Sequence, residues 1–215
     1  MIINRCIPLG AVLFALGVFN VQAQTTDVAT YDVTVYADIV GKELVWTREK
    51  SSAPDLQAMY SKQSGEWYFQ NSKNKVDVKK LGTPWRTDGS TVGVQSAKSS
   101  VLNGYVASCI ADVVGSSGMA GNLLTSYLIL KSPKKWHAFA FSAKDGCDAV
   151  QLNNPKNIRF SYQTLDLKNP GRLTVNNVSI VYKNDQPVLI QKSARTENNL
   201  LMRKHFNAVK DSLIR

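Results

Sequence analysis

Few residues in this chain are equipped for chemistry, and their spacing does not favour it. His137 and His205 are the only imidazoles. Neither has a second histidine at ligand spacing, so a zinc site would have to recruit carboxylates from remote segments. Gly115-Ser116-Ser117-Gly118-Met119 departs from the Gly-x-Ser-x-Gly nucleophile elbow at its last position. Ser72 and Ser132 each stand three residues before a lysine, Lys75 and Lys135, which matches the Ser-x-x-Lys spacing of another serine-nucleophile class. Both stretches read as turns, however, and the supporting motifs of that class are missing. An exported hydrolase using Ser117 or Ser132 with His137 as base is therefore only a second alternative. Phosphate-loop and dinucleotide-binding glycine patterns are absent from the sequence, and neither a cofactor nor a metal is expected.

The cysteines are more informative. Cys6 sits in a stretch with one basic residue, Arg5, an apolar run over 7–21 and a small residue, Ala23, which together make the pattern of a secretory signal peptide cleaved after Ala23. The run of roughly 15 apolar residues falls short of the roughly 20 that a spanning helix needs. Removing 1–23 leaves Cys109 and Cys147 in a periplasmic or secreted chain, where an oxidising compartment favours one disulfide between them. Closing a loop of about 39 residues stabilises by about 4 kcal/mol in the chain-entropy description.

The formal charge is +10, and removal of Arg5 with the leader lowers it by one. Mild basic clusters fall at Lys73, Lys75, Lys79, Lys80 and Arg86, and at Lys131, Lys134 and Lys135. Trp85 and Trp136 lie beside them, so Lys73, Lys75, Lys79, Lys80, Trp85, Arg86, Lys134, Lys135 and Trp136 form the candidate binding set. Such a field speeds encounter with acidic partners. Nucleic acid is disfavoured, because export removes the opportunity and no binding motif accompanies the charge.

The elements that would position these residues follow from periodicity. Alternation over 29–39 and an apolar face through Leu44 and Trp46 predict a hairpin with its turn at Gly41 and Lys42. Ser51, Ser52 and Pro54 predict the start of a short helix over 53–62. Strands are expected at 67–70, 76–81 and 91–98. Leu102, Tyr105, Val106, Cys109, Ile110 and Val113 fall on one helical face, which predicts a helix ending near Gly115 with Cys109 pointing inward. Strands over 122–131, 135–143 and 147–152 read as a meander, and 158–167, 173–182 and 188–192 supply three more. A last helix is expected from Thr196 or Glu197 to Leu213, with Met202, Phe206, Val209 and Leu213 as its stripe.

About 190 residues after the leader, 24–215, fit a single domain. The expected fold class is α+β: a mostly antiparallel, twisted sheet of about eight to ten strands covered by two or three helices. The expected function is a non-enzymatic binding protein of the bacterial envelope or medium, an inhibitor or immunity-type protein for an acidic partner. The alternative is a carrier of an apolar or lipidic ligand, with Tyr127, Trp136 and Phe139 lining its pocket.

Overall fold

The computed structural model describes residues 31–72, 74–82, 94–112, 124–166 and 172–198. The expected leader, Lys73, Trp85, Arg86, Ser117 and His205 lie outside them. Among the described residues the chain is all-β, and its one helical element is a 3-10 turn at Gly146–Ala149. The α+β expectation is overturned.

The first sheet holds β1 (Val33–Val40), β2 (Glu43–Thr47), β3 (Leu56–Ser61), β4 (Glu66–Asn71) and β5 (Asn74–Val76), in the order β2-β1-β3-β4-β5. The central sheet holds β6 (Val78–Lys80), β7 (Val94–Leu102), β8 (Tyr105–Asp112), β9 (Leu124–Lys131) and β10 (Trp136–Ala143), in the order β6-β10-β9-β8-β7. The third holds β11 (Val150–Gln151), β12 (Asn157–Leu165), β13 (Arg172–Lys183) and β14 (Gln186–Asn198), in chain order. Pairings are antiparallel except that of β6 with β10. Pro187 is accommodated because β14 is an edge strand, where a missing N–H costs no ladder bond.

The central sheet is buried on both faces, and that explains most of the misread periodicity. Val106, Ile110, Tyr127, Ile129, Trp136, Ala138 and Ala140 point into a core shared with Leu56, Tyr60, Trp67 and Phe69 of the first sheet. The alternate residues Ala107, Cys109, Leu128, Leu130, Phe139 and Phe141 point the other way, into a core shared with Ile158, Phe160, Val178 and Ile180 of the third. A strand apolar on both faces shows no alternation, so its residues fit a helical stripe as easily as a strand. The helix expected around Cys109 is instead the β7–β8 hairpin. Asn103 and Gly104 form its two-residue turn, with φ of 52° and 78°, the left-handed geometry that Asn-Gly favours.

The helix expected over 53–62 is replaced by β3, whose Leu56, Ala58 and Tyr60 alternate into the first core. Polar side chains of this stretch bond sideways instead. Ser51 donates to Asp38 Oδ1 at 3.2 Å, and an Asp55 carboxylate oxygen accepts from the Ile39 amide at 2.9 Å. The C-terminal helix cannot begin at Thr196 or Glu197, because both pair with β13 as part of β14; its remainder lies outside the described residues. The expected meander also divides: β9 and β10 pair, whereas 147–152 forms the 3-10 turn and then β11 in a different sheet.

Phe141 and Phe160 pack with ring centroids 4.8 Å apart across the second core. Burying one such side chain contributes about 1.5–3 kcal/mol. In the same core Cys109 on β8 is bonded to Cys147 in the 3-10 turn, with their Cα atoms 5.6 Å apart. The expected disulfide is present, and it fastens the chain leaving the central sheet just before it enters the third.

Candidate functional site

One edge strand from each sheet converges on a common opening. Residues 43–46 of β2, 97–100 of β7 and 150–153 at β11 line an open groove of about 810 Å³. Each of these strands is the terminal member of its sheet.

The groove is wedge-shaped because β2 and β7 begin to pair and then part. The Val101 amide donates to the Lys42 carbonyl at 3.1 Å. One step further on, the Leu44 amide is met by the Ser99 hydroxyl, at 2.9 Å, in place of a main-chain carbonyl. Main-chain groups alternate sides along a strand, so Val101 turning outward places Ala97 and Ser99 outward too, while Lys98 and Ser100 turn inward to β8. The unbroken pairing from Ala97↔Ile110 to Leu102↔Tyr105 carries that alternation along the strand. Ala97 and Ser99 therefore present N–H and C=O groups to the groove. The Trp46 indole N–H closes the base of the wedge by donating to Ser108 Oγ at 3.2 Å. Ser100 Oγ, in the same wall, is sheltered from solvent and has no hydrogen-bond partner among the described residues.

The disulfide places the third wall. Cys109 lies opposite Lys98 in the β7–β8 ladder. Its bond to Cys147 brings Asp148 within reach of the Lys98 ammonium, and the two form an ion pair. Val150 begins β11 two residues later, so β11 is set beside β7 by one covalent and one ionic tie.

The end of the molecule where the hairpin turns meet is built differently. Tyr105 donates its hydroxyl to Asp185 Oδ1 at 2.6 Å, and Lys134 Nζ lies 3.0 Å from Oδ2 of the same carboxylate. Lys156 stands 4.1 Å over the Tyr105 ring, and Tyr182 packs edge-on against that ring at 4.8 Å. The Tyr105 and Lys134 hydrogen bonds hold the Asp185 carboxyl below the usual range, and the same Tyr105–Asp185 bond raises the Tyr105 phenol. Burial pushes the Tyr182 hydroxyl well above its ordinary value. These groups tie the β7–β8, β9–β10 and β13–β14 turns together.

The described members of the candidate binding set read from the sequence are not gathered at the groove. Lys75 stands 5.6 Å over the Tyr68 ring, and Lys79 and Lys80 lie on β6 at the opposite edge of the central sheet from β7. Lys80 pairs with Glu66 at 2.6 Å, and Lys134 belongs to the turn cluster. Lys135 is exposed beside it. Trp136 is a core side chain, 6% exposed, with Lys131 5.4 Å over its ring. Tyr127 and Trp136 face the first core and Phe139 the second, so the three do not line a common pocket.

His137 is half-buried, its Nε2 has no partner among the described residues, and burial followed by the charge of Lys135 lowers its pKa. The Ser132 hydroxyl is engaged within its own turn, accepting from the Lys135 amide at 3.2 Å and donating to the Lys135 carbonyl at 3.3 Å. Among the described residues no cluster of three or more His, Cys, Asp or Glu is placed to hold a metal, and no helix is long and apolar enough to cross a membrane.

Sequence reasoning placed strands over 91–98 and 147–152 but gave Ala97, Ser99 and β11 no functional role. The Asn-Gly pair at 103–104 was the available signal, since reading it as a hairpin turn makes β7 a strand of known parity. No family model, no curated protein and no solved structure matches the chain. The fold and the groove define a three-layer β protein with an open groove at its strand edges.

Proposed function

We propose that this is an exported, non-enzymatic binding protein that takes up an extended segment of a protein partner as an added strand on β7. One observation carries the reading: the outward main-chain groups of Ala97 and Ser99 open on a groove walled by two further edge strands. Exposed edges template strand pairing. Strand addition draws affinity from main-chain hydrogen bonds and specificity from flanking pockets. An inhibitor or immunity-type role suits such a surface, because a stiff, disulfide-tied edge loses little freedom on binding.

Ala97→Pro is the discriminating variant. Proline removes the Ala97 N–H, one of the two that face the groove, and leaves the ladder to β8 intact. A partner captured from envelope or culture medium should protect the Ala97 and Ser99 amides from exchange and should be lost with Ala97→Pro. Equal retention by the variant, or retention of nothing by either form, contradicts the proposal.

A further inference from the structure

We infer that the incoming segment is acidic near one end and that Arg159 and Lys192 receive its carboxylate. This rests on the strand-addition reading above. A second concavity, of about 390 Å³, adjoins the groove and shares Gln151 with it. Gln151 lies directly opposite Arg159 in the β11–β12 ladder, so Arg159 stands one strand in from the groove's third wall. Lys192 comes from β14 to the same concavity, whose polar lining includes Ser161 and Asn177.

Two features suit this concavity to a carboxylate. Lys80, Lys98, Lys131, Lys134 and Arg195 each have an acidic partner, whereas Arg159 and Lys192 have no ion pair among the described residues. One local acceptor, Asn177, is also engaged. Ser161 donates to Asn177 Oδ1 at 2.6 Å, and Asn177 Nδ2 donates in turn to Ser193 Oγ at 2.9 Å. Two cations beside an amide oxygen already in use make a donor-rich site, and a guanidinium recognises a planar carboxylate in bidentate fashion. Main-chain pairing along β7 does not select among sequences. A carboxylate seated beyond β11 fixes which end of the segment lies there, and hence its direction.

The test uses the oxidised, isotope-labelled protein and two probes, acetyl-Thr-Val-Thr-Val-Glu-Asp-amide and its Gln-Asn counterpart, followed by amide chemical shifts at low salt. The acidic peptide should bind at least about tenfold tighter, a difference of about 1.4 kcal/mol, and should shift the Ala97, Ser99, Gln151 and Arg159 amides. Arg159→Gln with Lys192→Gln should erase that preference and leave affinity for the neutral peptide unchanged. Equal affinity of both peptides overturns the carboxylate site and leaves strand addition standing. Shifts at Arg159 without shifts at Ala97 and Ser99 overturn both, as does the absence of any shift. A thymidine hexanucleotide that outcompetes the acidic peptide at Arg159 and Lys192 overturns the assignment to a polypeptide.

Discussion

The turn end and the groove both join the central sheet to its neighbours, yet one is closed by side chains and the other is open among the described residues. At the turn end Asp185 bonds Tyr105 and Lys134, and Lys156 covers the Tyr105 ring. At the groove a single main-chain bond, Val101 to Lys42, starts a pairing that the Ser99 side chain then interrupts. Turns joined by charged hydrogen bonds hold strand ends in place and leave few donors free. An interrupted pairing leaves the outward main-chain groups of Ala97 and Ser99 in order without a main-chain partner among the described residues. The first arrangement serves stability, and the second is where the proposed partner would gain hydrogen bonds without first breaking any.

Breaking the disulfide should have the largest effect, since it fixes the wall that makes the groove. Reduction of the folded protein, or Cys109→Ala with Cys147→Ala, should lower unfolding free energy by about 4 kcal/mol in denaturant melts. Amide exchange should rise at β11 before it rises at the turn end. A reduced protein as stable as the oxidised one would remove the disulfide from the account.

Asp185→Asn should act on the other region alone, lowering the melting temperature and sparing peptide binding. Its pH dependence has a defined sign. The folded-state pKa lies below the unfolded value of about 3.9, so the stabilisation is present above that value and is lost as pH falls through the lower folded pKa. Melting temperatures of the two proteins should therefore converge below about pH 4, where a constant gap contradicts the role given to the carboxylate.

Trp46→Phe removes the indole donor to Ser108 at the base of the wedge and should cost about 1–2 kcal/mol in chemical denaturation. Ala97→Pro should be the mildest change in stability, below about 1 kcal/mol because its N–H lies outside the ladder, yet it should abolish strand uptake. A large loss of stability in Ala97→Pro would mean that the Ala97 N–H faces β8.

The sequence showed some of this directly and obscured the rest for physical reasons. One-sided strands were legible: β1 and β2 alternate over Val35, Ala37 and Leu44, and β4 over Trp67 and Phe69, because one face meets a core and the other meets water. The disulfide was legible from the leader-like pattern of residues 1–23 and the cysteine number. The β7–β8 hairpin was not, because β8 buries Val106 and Ile110 on one face and Ala107 and Cys109 on the other. Basic clusters were visible as composition, but their partners Glu66, Asp55 and Asp185 come from distant segments. Only the fold distinguishes paired cations such as Lys134 from Arg159 and Lys192. The groove itself had no signature, since being an edge strand is a property of sheet order and not of residue type.

Residue-resolved amide exchange in the free, oxidised protein tests the open edge most directly. The account predicts alternation along β7, with Ala97 and Ser99 exchanging at least about 100-fold faster than Lys98 and Ser100, whose amides bond β8. Equal protection at all four positions would mean that the edge is already covered, and would contradict the groove as a site for an incoming strand.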